Sequence, residues 1–196
     1  KHLKLVRHYL TRTDRNIVLS GFLAKVFDKH DLPYAVIPNI IELDEQSFRR
    51  RERLRPHFIC TRAHEPLYNI PCILRAFRLV QVKHPEAALT LVGDGSQHAV
   101  LVAMARDMNL RNVIFTGRVD NSEIYRQLDK ADILLSAPRM DNMPVSLLEA
   151  MNAGLLVISS RVGGVPYMIE DGVTGLLFES DNADQLAERM LWAITH

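Results

Sequence analysis

The chain has 196 residues, which is enough for one complete α/β domain and part of a second. A hydrophobic fraction of 47%, a charged fraction of 24% and a net charge of +1 describe a globular protein with no overall field that would attract nucleic acid or a membrane. The two cysteines lack the spacing of metal ligands, which argues against a disulfide framework and a structural zinc site. Because this cysteine usage suits a reducing compartment, we expect a cytoplasmic protein. No apolar run approaches the roughly 18 residues of a membrane span.

Residues 1–43 carry only short elements of secondary structure. Their patterns predict helices over 3–10 and 22–29 and strands over 17–19 and 34–37. Two strands are too few for a self-sufficient sheet. We therefore interpret this segment as the remnant of an N-terminal domain.

Residues 44–56 are rich in arginine and lack a clear apolar face. This pattern predicts a solvated linker between two domains. A contact between the arginines and an anionic membrane surface or an acidic partner is the alternative.

From residue 57 to residue 196, short apolar runs alternate with segments of helical periodicity. The predicted strands cover 58–61, 88–92, 113–116, 133–136, 155–159 and 175–178. Between them, apolar residues recur at three- and four-residue steps, and the methionines among them are typical of core filling. This alternation predicts an α/β fold with a doubly wound, Rossmann-like parallel sheet.

The most informative segment follows the fourth of these strands. The strand ends at Ser136, a loop carries Asp141, Pro144 suits the first turn of a helix, and Glu149 lies inside that helix. In open α/β sheets, ligands bind outside the carboxyl ends of the strands, where a helix N-terminus attracts an anion such as a diphosphate. Carboxylates beside such an anion can accept hydrogen bonds from sugar hydroxyls.

Backbone groups around the helix start complete this predicted site. The amides of Met143, Val145 and Ser146 are free to bind an anion, whereas Pro144 has no amide hydrogen. A glycine pair, Gly163-Gly164, follows the next strand and would let the backbone come close to a ligand. Together these segments predict a rim that faces phosphate and sugar.

Four motifs along the chain point to a known family. They are Val36-Ile-Pro-Asn39, Leu91-Val-Gly-Asp-Gly95, Phe115-Thr-Gly-Arg-Val119, and the block from Asp132 to Phe178 with two acids eight residues apart and a double glycine. This set resembles the C-terminal donor-binding domain of the retaining GT-B glycosyltransferases, in the glycogen-synthase-like family four, or group 1. The resemblance implies transfer of a hexose, with retention of configuration, from a UDP- or GDP-sugar to a glycan or lipid-linked acceptor in polysaccharide biosynthesis.

The resemblance also implies roles for individual residues. Glu149 would bind the ribose hydroxyls of the donor, Asp141 would face the transferred sugar, and Arg62 would neutralise the leaving diphosphate. These three are the expected catalytic residues. The other expected substrate-binding residues are Asn69, Arg118, Val119, Asn142, Met143, Pro144 and Val145, with Asp120 beside the base pocket.

Three positions depart from the family pattern. Asp141 stands where glutamate is usual, Leu67-Tyr68 replaces a lysine–glycine pair, and Tyr167 replaces a glutamate after the glycine pair. We expect Tyr68 and Asn69 to take the place of the lysine by hydrogen bonding.

The histidines His57, His64, His84 and His98 lie near predicted strand or helix ends without ligand-spaced partners, so we interpret them as surface or capping residues. Only His64, two residues after Arg62, is placed for a role near the phosphate. We expect no metal ion, because no carboxylate cluster is visible and GT-B enzymes generally act without one, and no cofactor.

Two other functions stay open at this point. One is a non-catalytic module that binds a nucleotide sugar, and the other is a sugar-nucleotide epimerase of the same fold. For the transferase, the expected partners are a nucleotide-sugar donor and a saccharide or lipid-linked acceptor, with no nucleic acid. Peripheral membrane contact would come through the missing domain, and the fragment alone would be inactive in transfer.

Overall fold

The structure is a computed structural model that describes residues 2–42 and 48–196. The predicted boundary near residue 43 and the first residues of the predicted linker, 44–47, lie outside the described residues. Within the described ranges, no helix is both long and apolar enough to cross a lipid bilayer.

The first segment contains two helices and two short strands. They are α1 (His2–Leu10), β1 (Ile17–Val18), α2 (Gly21–Lys29) and β2 (Ala35–Val36). The two strands pair in parallel as a separate sheet. All four predicted elements are present, although each strand is only two residues long.

The larger segment is built around a six-stranded parallel sheet. Its elements are β3 (His57–Cys60), α3 (Ile70–Lys83), β4 (Ala88–Val92), α4 (His98–Asp107), β5 (Val113–Gly117), α5 (Asn121–Lys130), β6 (Ile133–Ser136), α6 (Val145–Asn152), β7 (Leu156–Ser160), β8 (Leu176–Phe178) and α7 (Ala183–Thr195). The strand order is β5-β4-β3-β6-β7-β8. This order confirms the predicted doubly wound, Rossmann-like sheet, with its direction of winding reversed between β3 and β6.

Helices cover both faces of the sheet, which explains why its strands read as continuous apolar runs. Along β3, Phe58 and Cys60 belong to a core cluster shared with α3 and α7, whereas Ile59 belongs to a second cluster shared with α5 and α6. Met190 of α7 is fully buried in the first cluster, which confirms core filling for that methionine. Burial on both faces is typical of parallel sheets.

Three arginines before β3 converge on one buried aspartate. Arg49, Arg51 and Arg55 all bind the carboxylate of Asp132, at N–O distances of 2.7, 3.2 and 2.9 Å. The side chains of Arg51 and Asp132 are 2% and 1% exposed, whereas those of Arg49 and Arg55 are 36% and 48% exposed. The expectation of a solvated segment is therefore wrong for Arg51, and Arg49 and Arg55 bind the same aspartate from the surface.

Asp132 lies just before β6, at the amino end of the sheet. Burial would by itself raise the pKa of its carboxyl, but hydrogen bonds from Arg55 and Arg49 hold the pKa well below its usual range. A buried carboxylate with several cationic partners is strongly destabilising when it alone is removed, because the cations are then left without an anion.

We expect Asp132→Asn to lower the free energy of unfolding by about 3 kcal/mol at pH 7, measured by urea denaturation. The matched control is Asp129→Asn, because Asp129 also pairs with Arg49 but is 62% exposed, so its loss should change stability by less than about 1 kcal/mol. Because the pKa of Asp132 is lower in the folded than in the unfolded protein, its carboxylate stabilises the fold above the unfolded-state pKa of about 4. This stabilisation is lost as the pH falls towards the folded-state pKa. A gap between wild type and Asp132→Asn that widens below pH 4 would contradict this account.

Candidate functional site

The candidate site lies where β3 and β6 run side by side and their connections leave in opposite directions. Arg62 follows β3 by two residues, and the loop that carries Asp141 follows β6. Adjacent parallel strands whose connections diverge leave a crevice at their carboxyl ends. Residues that are 79 positions apart in the chain therefore meet there.

Arg62 is the centre of this arrangement. Its guanidinium forms an ion pair with Asp141, and another of its nitrogens donates a hydrogen bond to the Ser146 hydroxyl at 3.1 Å. The face of the guanidinium lies 4.0 Å from the centroid of the Tyr68 ring. With a side chain only 14% exposed, Arg62 is held by three partners from three different segments.

Glu149 lies within reach of the same positive charge. It follows Ser146 by three residues on α6, so the two side chains lie on one face of the helix. Burial raises the pKa of Glu149, and the charge of Arg62 opposes that rise. The structure therefore brings the three expected catalytic residues into one electrostatic neighbourhood, with Asp141 in direct contact and Glu149 coupled through charge.

The start of α6 differs slightly from the sequence prediction. Pro144 is the residue before the helix, with φ −67° and ψ 118°, and the first helical residue is Val145. Among described residues, the amides of Met143, Val145 and Ser146 find no hydrogen-bond acceptor. Val145 is 39% exposed and Ser146 is 6% exposed, and the Ser146 hydroxyl binds Arg62, so these unpaired donors lie beside the guanidinium at a partly buried helix end.

The first segment of the chain reaches over this loop. The Asn39 side chain donates a hydrogen bond to the Met143 carbonyl at 2.8 Å, and the Ser20 hydroxyl donates one to the Asn142 side chain. These partners lie 104 and 122 residues apart, so no local pattern could have revealed the contacts. Ser20 and Asn39 are loop-positioning residues that sequence reasoning missed.

The glycine pair after β7 packs against the same loop. A Cβ on Gly163 would collide with the Asp141 carbonyl oxygen, and one on Gly164 would collide with the Asn142 carbonyl oxygen. The Gly164 amide donates a hydrogen bond to the Asp141 carbonyl at 3.0 Å. The close approach expected for these glycines is therefore an approach to the loop backbone, which holds Asp141 in place.

We expect Gly163→Ala to lower the free energy of unfolding by at least about 2 kcal/mol more than Gly172→Ala, measured by urea denaturation. Both glycines have positive φ, at +51° and +80°, so both substitutions carry similar backbone strain. Only Gly163 faces a carbonyl, whereas a Cβ on Gly172 meets nothing within 4 Å. Equal losses in the two variants would show that the contact with the Asp141 loop is unimportant.

A cleft of about 610 Å³ opens beside Arg62, at the carboxyl ends of β3, β4 and β5. It is lined by Thr61, Arg62, Ala63, Val92, Gly93, Asp94, Gly95, Arg118, Val119, Asn121 and Ile124. Its size is typical of small-molecule sites. Arg118 and Val119, the expected base-pocket residues, line the cleft, whereas Asp120 is the residue before α5 and is not among its lining residues.

The structure places Tyr68 and Asn69, the expected hydrogen-bonding replacements for a lysine, in different surroundings. Tyr68 stacks on Arg62. Asn69 is fully buried, donates to Asp181 at 2.9 Å and accepts from Arg139 at 3.2 Å. Its amide is thus occupied by a structural network, which favours a supporting role over a contact with a ligand.

His64 and His98 are brought together by the fold, contrary to the expectation that the histidines lack partners. Their Nδ1 atoms are 2.9 Å apart, although 34 residues separate them in the chain. His64 is fully buried, so it is not a surface residue. Burial, followed by the nearby charge of His98, lowers the pKa of His64.

A family model described as "Glycosyl transferases group 1" matches residues 44–196, which include the whole six-stranded sheet and every residue of the cleft. The chain belongs to the group 1 glycosyltransferases. Its fold matches that of GT-B glycosyltransferases, which confirms the fold that the sequence motifs predict.

Individual relatives and neighbours agree with the family. The N-acetyl-alpha-D-glucosaminyl L-malate synthase of Bacillus anthracis is 31% identical over 120 residues, which cover 61% of this chain and 31% of that protein. The D-rhamnosyltransferase WbpZ of Pseudomonas aeruginosa is 32% identical over 149 residues, covering 74% of this chain and 38% of that one. The chain thus spans well under half the length of these two curated relatives.

Among solved structures, the chain is similar to HepE of Anabaena in complex with UDP and glucose. The TM-score is 0.83 at 18% sequence identity, over 98% of this chain and 56% of that one. Similarity at this level of identity establishes a shared fold.

Proposed function

We propose that this group 1 glycosyltransferase chain binds a nucleotide-diphosphate sugar between Arg62 and the start of α6. Arg62 carries the proposal, because it joins Asp141, the helix start and the open cleft at the point where the sheet reverses its winding. In a polypeptide that also provides the acceptor side, the site would transfer a hexose to a saccharide or lipid-linked acceptor with retention of configuration.

The diphosphate would lie against two sources of positive charge. The guanidinium of Arg62 is one, and the unpaired amides of Met143, Val145 and Ser146 at the start of α6 are the other. Arg62 is also the ion-pair partner of Asp141. A bound diphosphate would compete for the guanidinium and so free the Asp141 carboxylate to accept hydrogen bonds from the sugar.

The nucleoside would extend along the cleft. Glu149, half-buried beside Arg62, would accept hydrogen bonds from the ribose hydroxyls; burial raises the pKa of its carboxyl, and the charge of Arg62 opposes part of that rise. Arg118 and Val119 would contact the base from the far wall. The HepE neighbour is bound to UDP and glucose, which supports UDP as the first nucleotide to test, with GDP as the second.

Transfer with retention would develop positive charge on the sugar and negative charge on the departing diphosphate. Protein groups that are already fixed near the departing diphosphate stabilise its negative charge without having to reorganise during the reaction. Tyr68 and Ser146 fix the Arg62 guanidinium in this way before any donor arrives. The proposed step uses protein groups alone, without a metal ion.

The non-catalytic alternative predicts binding of the nucleotide sugar without transfer. It gains some support from Asp141, which is one methylene shorter than the glutamate usual at that position, and from Leu67-Tyr68 in place of the usual lysine–glycine pair. The family match favours transfer over the epimerase.

We expect the chain to bind UDP or GDP with a dissociation constant between about 1 μM and 1 mM in titration calorimetry. Arg62→Gln should weaken this binding at least about tenfold, because one charge-assisted contact with the diphosphate is lost. The matched control is Arg106→Gln, because Arg106 is 79% exposed on α4 and pairs only with its neighbour Asp107. Absence of heat with UDP, GDP and ADP alike would refute the binding site.

For the complete polypeptide, we expect Asp141→Ala and Glu149→Ala each to lower kcat/KM of donor hydrolysis at least about 100-fold, since each removes a contact with the donor. Proton NMR of the first sugar released should show the anomer of the donor. Asp107→Ala, at an acid 69% exposed on α4, serves as the control. Full activity of both site variants would overturn the assignment of the acids, and an inverted first product would overturn retention. The present chain, which spans under half of its curated relatives, should bind the donor but not transfer its sugar.

A further inference from the structure

A cluster of two histidines and one aspartate lies at the edge of the cleft, which its aspartate lines, and none of the three has a role in the proposed transfer. His64 follows β3, Asp94 follows β4, and His98 is the first residue of α4. One ligand atom from each residue lies within 4.8 Å of those from the other two. We propose that His64, Asp94 and His98 form a binding site for a zinc-class divalent metal ion.

The geometry of the ligand atoms carries this proposal. The Nδ1 atoms of His64 and His98 point at each other across 2.9 Å, and an Asp94 carboxylate oxygen lies 3.4 Å from the Nδ1 atom of His98. Zinc binds imidazole nitrogen and carboxylate oxygen at about 2.0–2.2 Å, so ligands of a tetrahedral ion lie roughly 3.3 Å apart. The distance between the two Nδ1 atoms needs to open by a few tenths of an ångström, and the side chains need to turn so that all three ligand atoms, now within 4.8 Å of one another, aim at one point.

The ligand types indicate the class of metal. Two imidazoles and one carboxylate suit borderline ions such as Zn²⁺ or Co²⁺ better than Mg²⁺ or Ca²⁺, which prefer oxygen ligands alone. The side chains of His98 and Asp94 are 33% and 60% exposed. The ion can therefore enter from solvent and keep an open coordination position for water.

Backbone contacts hold the cluster together without a metal ion. The His64 amide donates to the Asp94 carbonyl at 2.9 Å, and the Gln97 amide donates to the His64 carbonyl at 2.8 Å. Glu65 adds a third connection between the segments that follow β3 and β4, because its carboxylate accepts hydrogen bonds from the Ser96 amide and hydroxyl. Ligands that are fixed in advance lose little freedom when the ion binds.

The ring of His64 is fully buried, so the surrounding residues fix its position. Its Nδ1 atom faces the Nδ1 atom of His98, and both atoms can present a lone pair to one metal ion when each ring carries its proton on Nε2.

The test is a titration of metal-free chain with ZnCl₂, using a chromophoric chelator as competitor, and with CoCl₂, using its visible absorption. We expect one equivalent of Zn²⁺ to bind with a dissociation constant of about 10 μM or lower, and Co²⁺ to show the intense bands of a four- or five-coordinate ion. His98→Ala and Asp94→Asn should each weaken binding at least about tenfold.

His84→Ala is the matched control, because His84 also lies beside a carboxylate, at 3.1 Å from Glu86, but outside the cluster. Its metal binding should equal that of wild type. Circular dichroism checks the fold of each variant. If His98→Ala is unstable, Asp94→Asn still tests the site, because the Asp94 side chain is exposed and asparagine has the same size. Binding weaker than about 1 mM in wild type, or wild-type affinity in a folded Asp94→Asn variant and in His98→Ala, would overturn the site.

Discussion

The arrangement of the candidate site depends on the need of one largely buried cation, Arg62, for an anion. A guanidinium that is 14% exposed is destabilising unless its charge is paired and its donors are used. Asp141 supplies the charge, Ser146 accepts one donor, and Tyr68 covers the face. Because these partners come from three segments, the pairing also fixes the loop after β6 and the start of α6 relative to β3. The stability of the site and the proposed binding of a diphosphate thus depend on the same buried charge.

Ion pairs between arginine and aspartate occur at both ends of β6, but the ratio of arginines to aspartates differs. At the amino end, one buried carboxylate, Asp132, has three arginine partners and is fully satisfied. At the carboxyl end, one arginine faces one carboxylate beside helix amides without acceptors. A cluster whose charges and hydrogen-bonding groups are all paired has no free donor for a ligand. A cluster with unpaired amides keeps donors that an anion can accept from. The amino end therefore stabilises the fold, and the carboxyl end is where we propose that an anion binds.

Every strand of the sheet could be predicted to within one residue at both ends, because each is a short apolar run between turn residues. Burial on both faces makes these runs continuous in the central strands, although β5 at the edge is only partly buried. Family motifs located Arg62, Asp141 and Glu149, which the structure brings into one neighbourhood. Contacts across long stretches of chain could not be predicted in this way. The partnership of Arg51 with Asp132 and that of His64 with His98 depend on strand order, which local patterns do not contain.

The hydrogen bonds from Ser20 and Asn39 to the loop after β6 have a mechanical consequence. Asn39 lies just before the crossing between the two segments of the chain, and its side chain is bonded to the Met143 carbonyl at the entrance to α6. A rotation of the first segment against the sheet must either drag this entrance along or break the bond. The amides at the start of α6 would then change direction whenever the first segment rotates against the sheet. The affinity of this helix end for an anion would therefore depend on the angle between the two segments.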